Sequence, residues 1–319
     1  PSILCDIVFM GMTLPLPLRG IIPPLPTPLL APDKLDVEGL DRLIEYVLAG
    51  GVHGLFLLGS TGEGPSLSPH LRRELIHHAC RITCGRVPVL TGITDTSAEE
   101  SVSLAQFAAD AGADAVVVAA PCYFRTTQEE LLEHIRRLVP RLTLPVLLYN
   151  IPIFTGNAFE IPTVLEAAKL PGVIGFKDSS GDMIAYHRMR LALSGRPGFS
   201  LLVGSEELLA DVVLLGGHGS VAGGANLDPR LYVDLYDAAM AGKLAEVRLL
   251  HDRVLRLATG IYRVGSYGAG FLKGIKCALS LMGICGEALA EPYVPLDGEH
   301  REHIRARLEE MGLLGVTAR

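Results

Sequence analysis

Eight short apolar segments recur along the first part of the chain, and each is followed by a helical pattern or a turn. They begin near residues 21, 54, 87, 114, 145, 173, 200 and 218. Continuous apolar strands that alternate with helices are typical of a parallel sheet, because helices cover both of its faces. Eight such units predict an α/β fold of the TIM (β/α)8 barrel type. A doubly wound sheet is the alternative, but no glycine-rich dinucleotide fingerprint follows the first strand.

The two ends of the chain lack this alternation. From about residue 230 the sequence indicates only helices, which predict a C-terminal helical appendage. We therefore expect an N-terminal extension over 1–17, a catalytic barrel over 18–229 and a helical region over 230–319. The first segment, Ser2–Leu18, lacks a basic n-region and contains Asp6 and several prolines, so it predicts neither a signal peptide nor a membrane span.

Composition narrows the possible partners and cofactors. A net charge of -7 provides no basic surface for nucleic acid, and no segment is apolar enough to cross a membrane. Six cysteines among 319 residues are too few for a disulfide scaffold, so we interpret them as ordinary thiols and expect a cytoplasmic protein. Cys80 and Cys84 have no further metal ligands near them in the sequence. His77 and His78 are adjacent on a helix and cannot lie on one face with a third ligand, so no metal site is predicted.

Lys177 stands at the end of the apolar strand Val173–Phe176. Lysines are rarely buried without a partner, and loss of water lowers their pKa. A partly neutral amine attacks carbonyl groups and forms a Schiff base. The alternative is a lysine that extends to solvent from the strand end.

Other polar residues also follow predicted strands, at the barrel end where TIM-barrel active sites lie. They are Ser60, Thr61, Tyr123, Tyr149, Ser205, Glu206 and Glu207. If the barrel forms, these residues converge on Lys177. An amine surrounded by hydroxyl groups is suited to carbonyl chemistry, because the hydroxyls move protons and hold a carboxylate.

Three motifs carry a resemblance to a known family: Gly59–Glu63, Tyr149–Pro152 and Gly175–Asp178. With them, residues 18–315 resemble the pyruvate-dependent class I aldolases, the family of dihydrodipicolinate synthase and N-acetylneuraminate lyase. The combination of the three motifs is specific, although each alone is a weak signal. The resemblance implies a lyase that makes or breaks a C–C bond next to pyruvate or another 2-oxo acid, with an aldehyde as the other partner.

The resemblance also implies catalytic roles. Lys177 is the Schiff-base lysine, so no separate cofactor is required, and Tyr149 transfers protons beside it. Ser60 and Tyr123 complete a hydroxyl relay, with Tyr123 reaching in from a neighbouring subunit. The family further implies a homo-oligomer, a dimer of dimers.

The substrate-binding residues include one departure from the family. Thr61 and nearby backbone N–H groups are implied to hold the pyruvate carboxylate, and Val221 to offer a backbone carbonyl. Dihydrodipicolinate synthase has an arginine for the aldehyde's own carboxylate where this chain has Phe154. A phenylalanine cannot make that ion pair. Phe154, together with the acceptor Glu206, therefore favours a neutral or polyhydroxylated partner.

Three alternatives stay open at this point. The first is a true 4-hydroxy-tetrahydrodipicolinate synthase, and the second is a dehydratase of 2-oxo-3-deoxy sugar acids that uses the same lysine. The third is a barrel that only binds a 2-oxo acid, as a sensor. Binding alone requires no amine, which counts against the sensor. We interpret Glu63, Asp178, His53 and His218 as structural residues, with Glu63 supporting its loop.

Overall fold

The computed structural model describes residues 14–264 and 269–314, so residues 1–13 of the predicted N-terminal extension lie outside the described part. The described strands are, in chain order, β1 (Gly20–Ile21), β2 (Leu29–Ala31), β3 (Lys34–Leu35), β4 (Leu55–Leu57), β5 (Val89–Gly92), β6 (Ala115–Ala119), β7 (Val146–Asn150), β8 (Val173–Asp178), β9 (Ser200–Val203) and β10 (Gly219–Ser220). All eight predicted strands are present, and β2 and β3 form a separate antiparallel pair that was not predicted.

The eight predicted strands form one parallel sheet, in the order β1-β10-β9-β8-β7-β6-β5-β4. The segment after β1 meets β4, where the Phe56 N–H donates to the Pro23 carbonyl over 3.0 Å and the Leu25 N–H donates to the Phe56 carbonyl over 2.9 Å. These hydrogen bonds join the two outer strands of the sheet. The predicted TIM-like α/β fold is therefore confirmed.

Helices follow most of the strands and cover the outside of the sheet. They are α1 (Val37–Ala49), α2 (Pro69–Thr83), α3 (Ala98–Asp110), α4 (Gln128–Leu138), α5 (Pro152–Thr155), α6 (Ile161–Ala167), α7 (Met183–Ala192), α8 (Leu209–Leu214), α9 (Pro229–Met240), α10 (Leu244–Ile261), α11 (Gly270–Leu281) and α12 (Gly298–Glu310). The last four helices come after the final strand. Within the described residues, no helix is both long and apolar enough to cross a membrane.

Side chains of each strand alternate between two apolar clusters, because successive residues point to opposite faces. On β7, Val146 and Leu148 belong to the larger cluster beneath the helices, whereas Leu147 and Tyr149 belong to a smaller cluster inside the barrel. On β8, Phe176 packs in the outer cluster. The residue that follows it therefore faces the barrel interior.

Candidate active site

Lys177 is this interior residue, and it lies directly beside Tyr149. The parallel register of β7 and β8 pairs Tyr149 with Lys177. The lysine is only 3% exposed, although it stands at the carboxyl end of the sheet. Its position contradicts the alternative of a side chain that extends to solvent.

Two aromatic rings surround the amine. Nζ of Lys177 lies 3.9 Å from the centroid of the Tyr149 ring and 4.9 Å from that of Phe56. Burial lowers the pKa of Lys177, and the nearby Tyr149 opposes this change in part. No acidic side chain in the described part of the chain forms an ion pair with this amine. The environment therefore favours a neutral, nucleophilic amine more than water does.

A cavity of about 670 Å³ lies at the carboxyl ends of β4, β5, β6 and β7, and its lining residues do not include Lys177 or Thr61. Its walls include the predicted site residues Ser60, Tyr149 and Phe154. Phe56 also lines it, so both rings that contact the Lys177 amine are wall residues. The volume is that of a typical small-molecule site, with room for a 2-oxo acid and a second substrate.

The loop after β4 carries Ser60 and Thr61 in a tight, buried turn. Leu58 and Glu63 both adopt left-handed backbone conformations, with φ of 58° and 57°. A Cβ atom on Gly64 would lie 2.3 Å from the Leu58 carbonyl oxygen, so only glycine fits where the turn closes. Thr61 is buried in this turn and Ser60 is half-buried at the cavity.

Glu63 fixes this loop to the C-terminal part of the chain. Its carboxylate forms an ion pair with Lys276 of α11, and both side chains are fully buried. Glu63 Oε2 also accepts a hydrogen bond of 2.7 Å from the Ala290 N–H. The interpretation of Glu63 as a support for its loop agrees with these contacts.

The other residues interpreted as structural also have structural partners. Asp178 accepts hydrogen bonds from Asn150 Nδ2 over 2.8 Å and from the Ser180 hydroxyl over 2.9 Å. His53 and His218 accept hydrogen bonds from backbone N–H groups of the barrel through Nδ1. Burial lowers the pKa of His218 to about 4, which keeps it a neutral acceptor.

Tyr123 does not reach the cavity of its own chain. Its side chain is 86% exposed, its ring packs edge-to-face against Phe124, and its φ of 80° is unusual for a residue with a side chain. Strained backbone of this kind persists where surrounding structure holds it and is frequent at functional sites. The predicted role of Tyr123 in a neighbouring subunit stays a prediction.

Glu206 and Val221 are buried and do not line the cavity. The Glu206 carboxylate accepts hydrogen bonds from the Gly224 N–H over 2.7 Å and from the hydroxyls of Tyr232 and Tyr262. Burial raises the pKa of this carboxyl to about 7. Glu206 therefore bonds to other parts of the protein and lies outside the cavity wall. The predicted contact between Glu206 and a substrate hydroxyl does not agree with this position.

Several cavity residues were missed by the sequence reasoning. Arg72 of α2 lines the wall and forms an ion pair of 2.8 Å with Asp95, which is also a wall residue. Phe271 of α11 and Tyr293 enter from the C-terminal region. Arg72, Phe271 and Tyr293 do not follow a strand, so the rule that pointed to the strand ends gave no signal for them, whereas Asp95 follows β5 and was overlooked.

Within the described part of the chain, free thiols are carried by Cys80, Cys122, Cys277 and Cys285. Cys84 is disulfide-bonded, so the interpretation of every cysteine as an ordinary thiol is wrong for this residue. Within the described residues, no group of histidine, cysteine, aspartate or glutamate side chains could hold a metal ion.

Comparisons with known proteins identify the family of this chain. Residues 17–311 match the profile of the Dihydrodipicolinate synthetase family. The chain belongs to this family. A 4-hydroxy-tetrahydrodipicolinate synthase of Rhodospirillum centenum is 34% identical over 296 residues, which cover 93% of this chain and 99% of the relative.

Solved structures of family members superpose on nearly the whole chain. The dihydrodipicolinate synthase of Bacteroides thetaiotaomicron gives a TM-score of 0.91 at 52% identity, covering 93% of this chain and all of the other. YagE of Escherichia coli K12, solved in complex with pyruvate, gives a TM-score of 0.87 at 32% identity, covering 92% and 99%. Membership of the dihydrodipicolinate synthetase family confirms the predicted enzyme class, a lyase or aldolase.

Proposed function

We propose that this enzyme joins or cleaves a C–C bond next to pyruvate, or a similar 2-oxo acid, through a Schiff base on Lys177. The observation that carries the proposal is the buried Lys177 amine, which contacts two wall residues of a large cavity and has no acidic partner among the described residues. The proposal requires no cofactor, because the lysine itself activates the substrate. The relative YagE was solved with pyruvate bound, which supports the choice of 2-oxo acid.

In the proposed reaction, Nζ of Lys177 adds to the ketone carbon of pyruvate, and loss of water leaves a protonated imine. Loss of a proton from the methyl carbon gives an enamine. This carbon bonds to the aldehyde carbon of the second substrate, whose oxygen takes up a proton. Water then releases the product and restores the amine. Tyr149, adjacent to Lys177, moves the protons, with Ser60 and a neighbouring subunit's Tyr123 as the relay.

The carboxylate of the 2-oxo acid is proposed to bind at the loop after β4. The backbone N–H groups there and the Thr61 hydroxyl are the donors that the family implies, and the tight turn keeps them in place. The backbone carbonyl of Val221, directly after β10, is retained as the acceptor that the family implies. In both proposed contacts the 2-oxo acid is bound covalently to Lys177.

The second substrate is proposed to be neutral. Arg72 is the only cationic side chain among the described residues of the cavity wall, and Asp95 already pairs with it. Arg125, another nearby arginine, donates to the Gly156 carbonyl. A carboxylate on the aldehyde would therefore have to compete with Asp95 for Arg72. Phe154, at the family's arginine position, provides no charge for it.

The alternative is a true 4-hydroxy-tetrahydrodipicolinate synthase, the name that the Rhodospirillum centenum relative bears. It would have to hold the carboxylate of aspartate semialdehyde with Arg72. The two functions differ in their response to Phe154→Arg, which would raise synthase activity if a cation is missing. A wild-type kcat/KM of about 10⁴ M⁻¹s⁻¹ or more with aspartate semialdehyde, an ordinary enzymatic value, would establish the synthase instead. The same comparison should include a 2-oxo-3-deoxy sugar acid as the dehydratase substrate.

The remaining predictions from the family form part of the proposal. We infer that the active unit is at least a dimer, because Tyr123 is exposed and outside its own cavity, and the family resemblance implies a dimer of dimers. Helices α9 to α12 are proposed as the C-terminal appendage, with the barrel over 18–229. A cytoplasmic location remains a prediction.

The decisive experiment is to trap the Schiff base. Reduction with borohydride in the presence of pyruvate should attach one pyruvate-derived group to Lys177, identified by peptide mass spectrometry. Lys276 is the matched control within the same chain, since it is also buried but paired with Glu63. Labelling of Lys276, or labelling that persists in Lys177→Met, would contradict the assignment.

A further inference from the structure

One wall of the cavity is aromatic and half-exposed. Phe154 lines it and is 49% exposed, and its ring stacks on that of Phe271 with centroids 6.3 Å apart and planes 27° apart. Tyr293 lines the same cavity and is 37% exposed. We refer to Phe154, Phe271 and Tyr293 as the aromatic wall. Large apolar side chains that face solvent inside a binding cavity are candidates for ligand contact.

The aromatic wall is held in place from two sides. Phe154 lies on the short helix α5, directly after the strand that carries Tyr149. The next residue, Thr155, is buried, and its hydroxyl donates to the Asn157 carbonyl over 2.8 Å. Phe271 lies on α11, whose Lys276 is anchored to the loop after β4. The wall therefore presents a preformed flat surface, which reduces the entropy lost when a ligand binds.

Two polar groups that could bind a polyhydroxylated substrate are already engaged by the fold. Glu206, predicted as the acceptor for substrate hydroxyls, is bonded to Tyr232, Tyr262 and Gly224 outside the cavity. Next to the aromatic wall, Thr155 is the polar member of α5 and its hydroxyl is engaged with backbone carbonyls. Against the rings of Phe154 and Phe271, a sugar-like substrate would lose water without equivalent hydrogen bonds in return.

We propose that the second substrate is an aldehyde with a flat apolar or aromatic group, which packs on Phe154 and Phe271. The proposal rests on the Schiff-base function, because the aldehyde carbon must meet the enamine on Lys177. An aromatic aldehyde and pyruvate combine with all atoms retained, to give a 4-hydroxy-2-oxo acid, so the step requires no oxidant or reductant. Stacking on the aromatic wall would orient the group while the aldehyde points toward Tyr149.

The test compares two aldehydes in pyruvate condensation, benzaldehyde and glyceraldehyde. The wild type should have a kcat/KM at least about tenfold higher with benzaldehyde. Phe154→Ala should lower that value by about tenfold, the scale of a lost aromatic contact, and should lower the value for glyceraldehyde by a smaller factor. Phe154→Leu, which keeps an apolar side chain, should give an intermediate loss. Ile153→Ala is the matched control, because Ile153 lies on the same helix, is exposed and does not line the cavity.

Failure of this proposal and failure of the Schiff-base function can be told apart. Borohydride trapping with pyruvate alone measures the reactivity of Lys177 without the aldehyde, and it should be equal in the wild type and in Ile153→Ala. Normal trapping combined with a preference for glyceraldehyde, or with equal losses for both aldehydes, overturns the aromatic substrate alone. Absence of trapping overturns the function. Dissociation of the oligomer in Phe154→Ala also overturns the proposal, because the wall would then be a subunit contact.

Discussion

The buried ion pair between Glu63 and Lys276 connects the catalytic loop to the C-terminal helices, and its removal should destabilise both. Lys276 Nζ also donates to the Ala288 carbonyl over 2.6 Å, and Glu63 also accepts from the Ala290 N–H. Lys276→Met would leave the Glu63 charge buried with a single hydrogen bond. Loss of one partner of a buried pair costs about 3–5 kcal/mol, because the other charge stays unpaired.

A double-mutant cycle would isolate this effect. Glu63→Gln keeps a side-chain acceptor for the Ala290 N–H but leaves the Lys276 charge unpaired. In the double variant no unpaired charge remains. Its loss of unfolding free energy should therefore be smaller than the sum of the two single losses by roughly 2–3 kcal/mol. For a chain of this length, the Lys276→Met change alone should lower Tm by roughly 5–8 °C.

The measurements are thermal and urea unfolding, together with the rate of borohydride trapping by pyruvate. Lys276→Met should slow trapping at low pyruvate more than at saturating pyruvate, since a loosened loop weakens binding of the carboxylate. Lys273→Met on the same helix is the control, because Lys273 is only half-buried. The reasoning would be refuted if Lys276→Met lowered the free energy of unfolding by less than about 1 kcal/mol. It would also be refuted if the losses of the two single variants added strictly in the double variant.

Three other predictions concern single residues. Tyr149→Phe should retain the fold by circular dichroism but lower kcat by about two to four decades, the usual scale for a lost proton-transfer group; near-normal turnover would mean that another group moves the proton. Sedimentation should show an oligomer, and Tyr123→Phe should lower kcat without dissociating it; a fully active monomer would remove this role for Tyr123. The pKa of Glu206 is raised from 4.5 to about 7, so the folded state holds this proton more tightly than the unfolded chain does. Stability should therefore fall as pH rises from 4.5 to about 7, by roughly 1.4 kcal/mol per unit of the shift, and Glu206→Gln should flatten this part of the profile measured by urea unfolding.

The barrel and the position of Lys177 could be predicted because both depend on local patterns. Each strand is a continuous apolar run, and the two-residue period of β8 sets the face on which Lys177 lies. The general rule that barrel active sites lie at the carboxyl ends of strands then placed Ser60 and Tyr149 at one cavity. Neither step requires knowledge of distant contacts.

Other features depend on contacts between residues far apart in the chain. Glu206 follows a strand end like the true wall residues, yet its acceptors are occupied by tyrosines 26 and 56 positions away. The aromatic wall likewise combines Phe154 with Phe271, from the helices after the barrel. Helix packing decides which side chains of α9, α10 and α11 point toward the barrel, and no short motif records that arrangement.

Two lysines are buried among the described residues, and their difference explains why only one is proposed to react. Burial lowers the pKa of both Lys177 and Lys276. Lys276 has the Glu63 carboxylate as a partner, which favours the ammonium form and keeps the nitrogen lone pair protonated. Lys177 has instead the faces of Tyr149 and Phe56, whose attraction for a cation amounts to about 0.5–2 kcal/mol. A weak attraction of this size leaves the amine free to lose its proton, and it also stabilises the positively charged imine that follows, so aromatic rings fit both stages of the proposed reaction better than a carboxylate would.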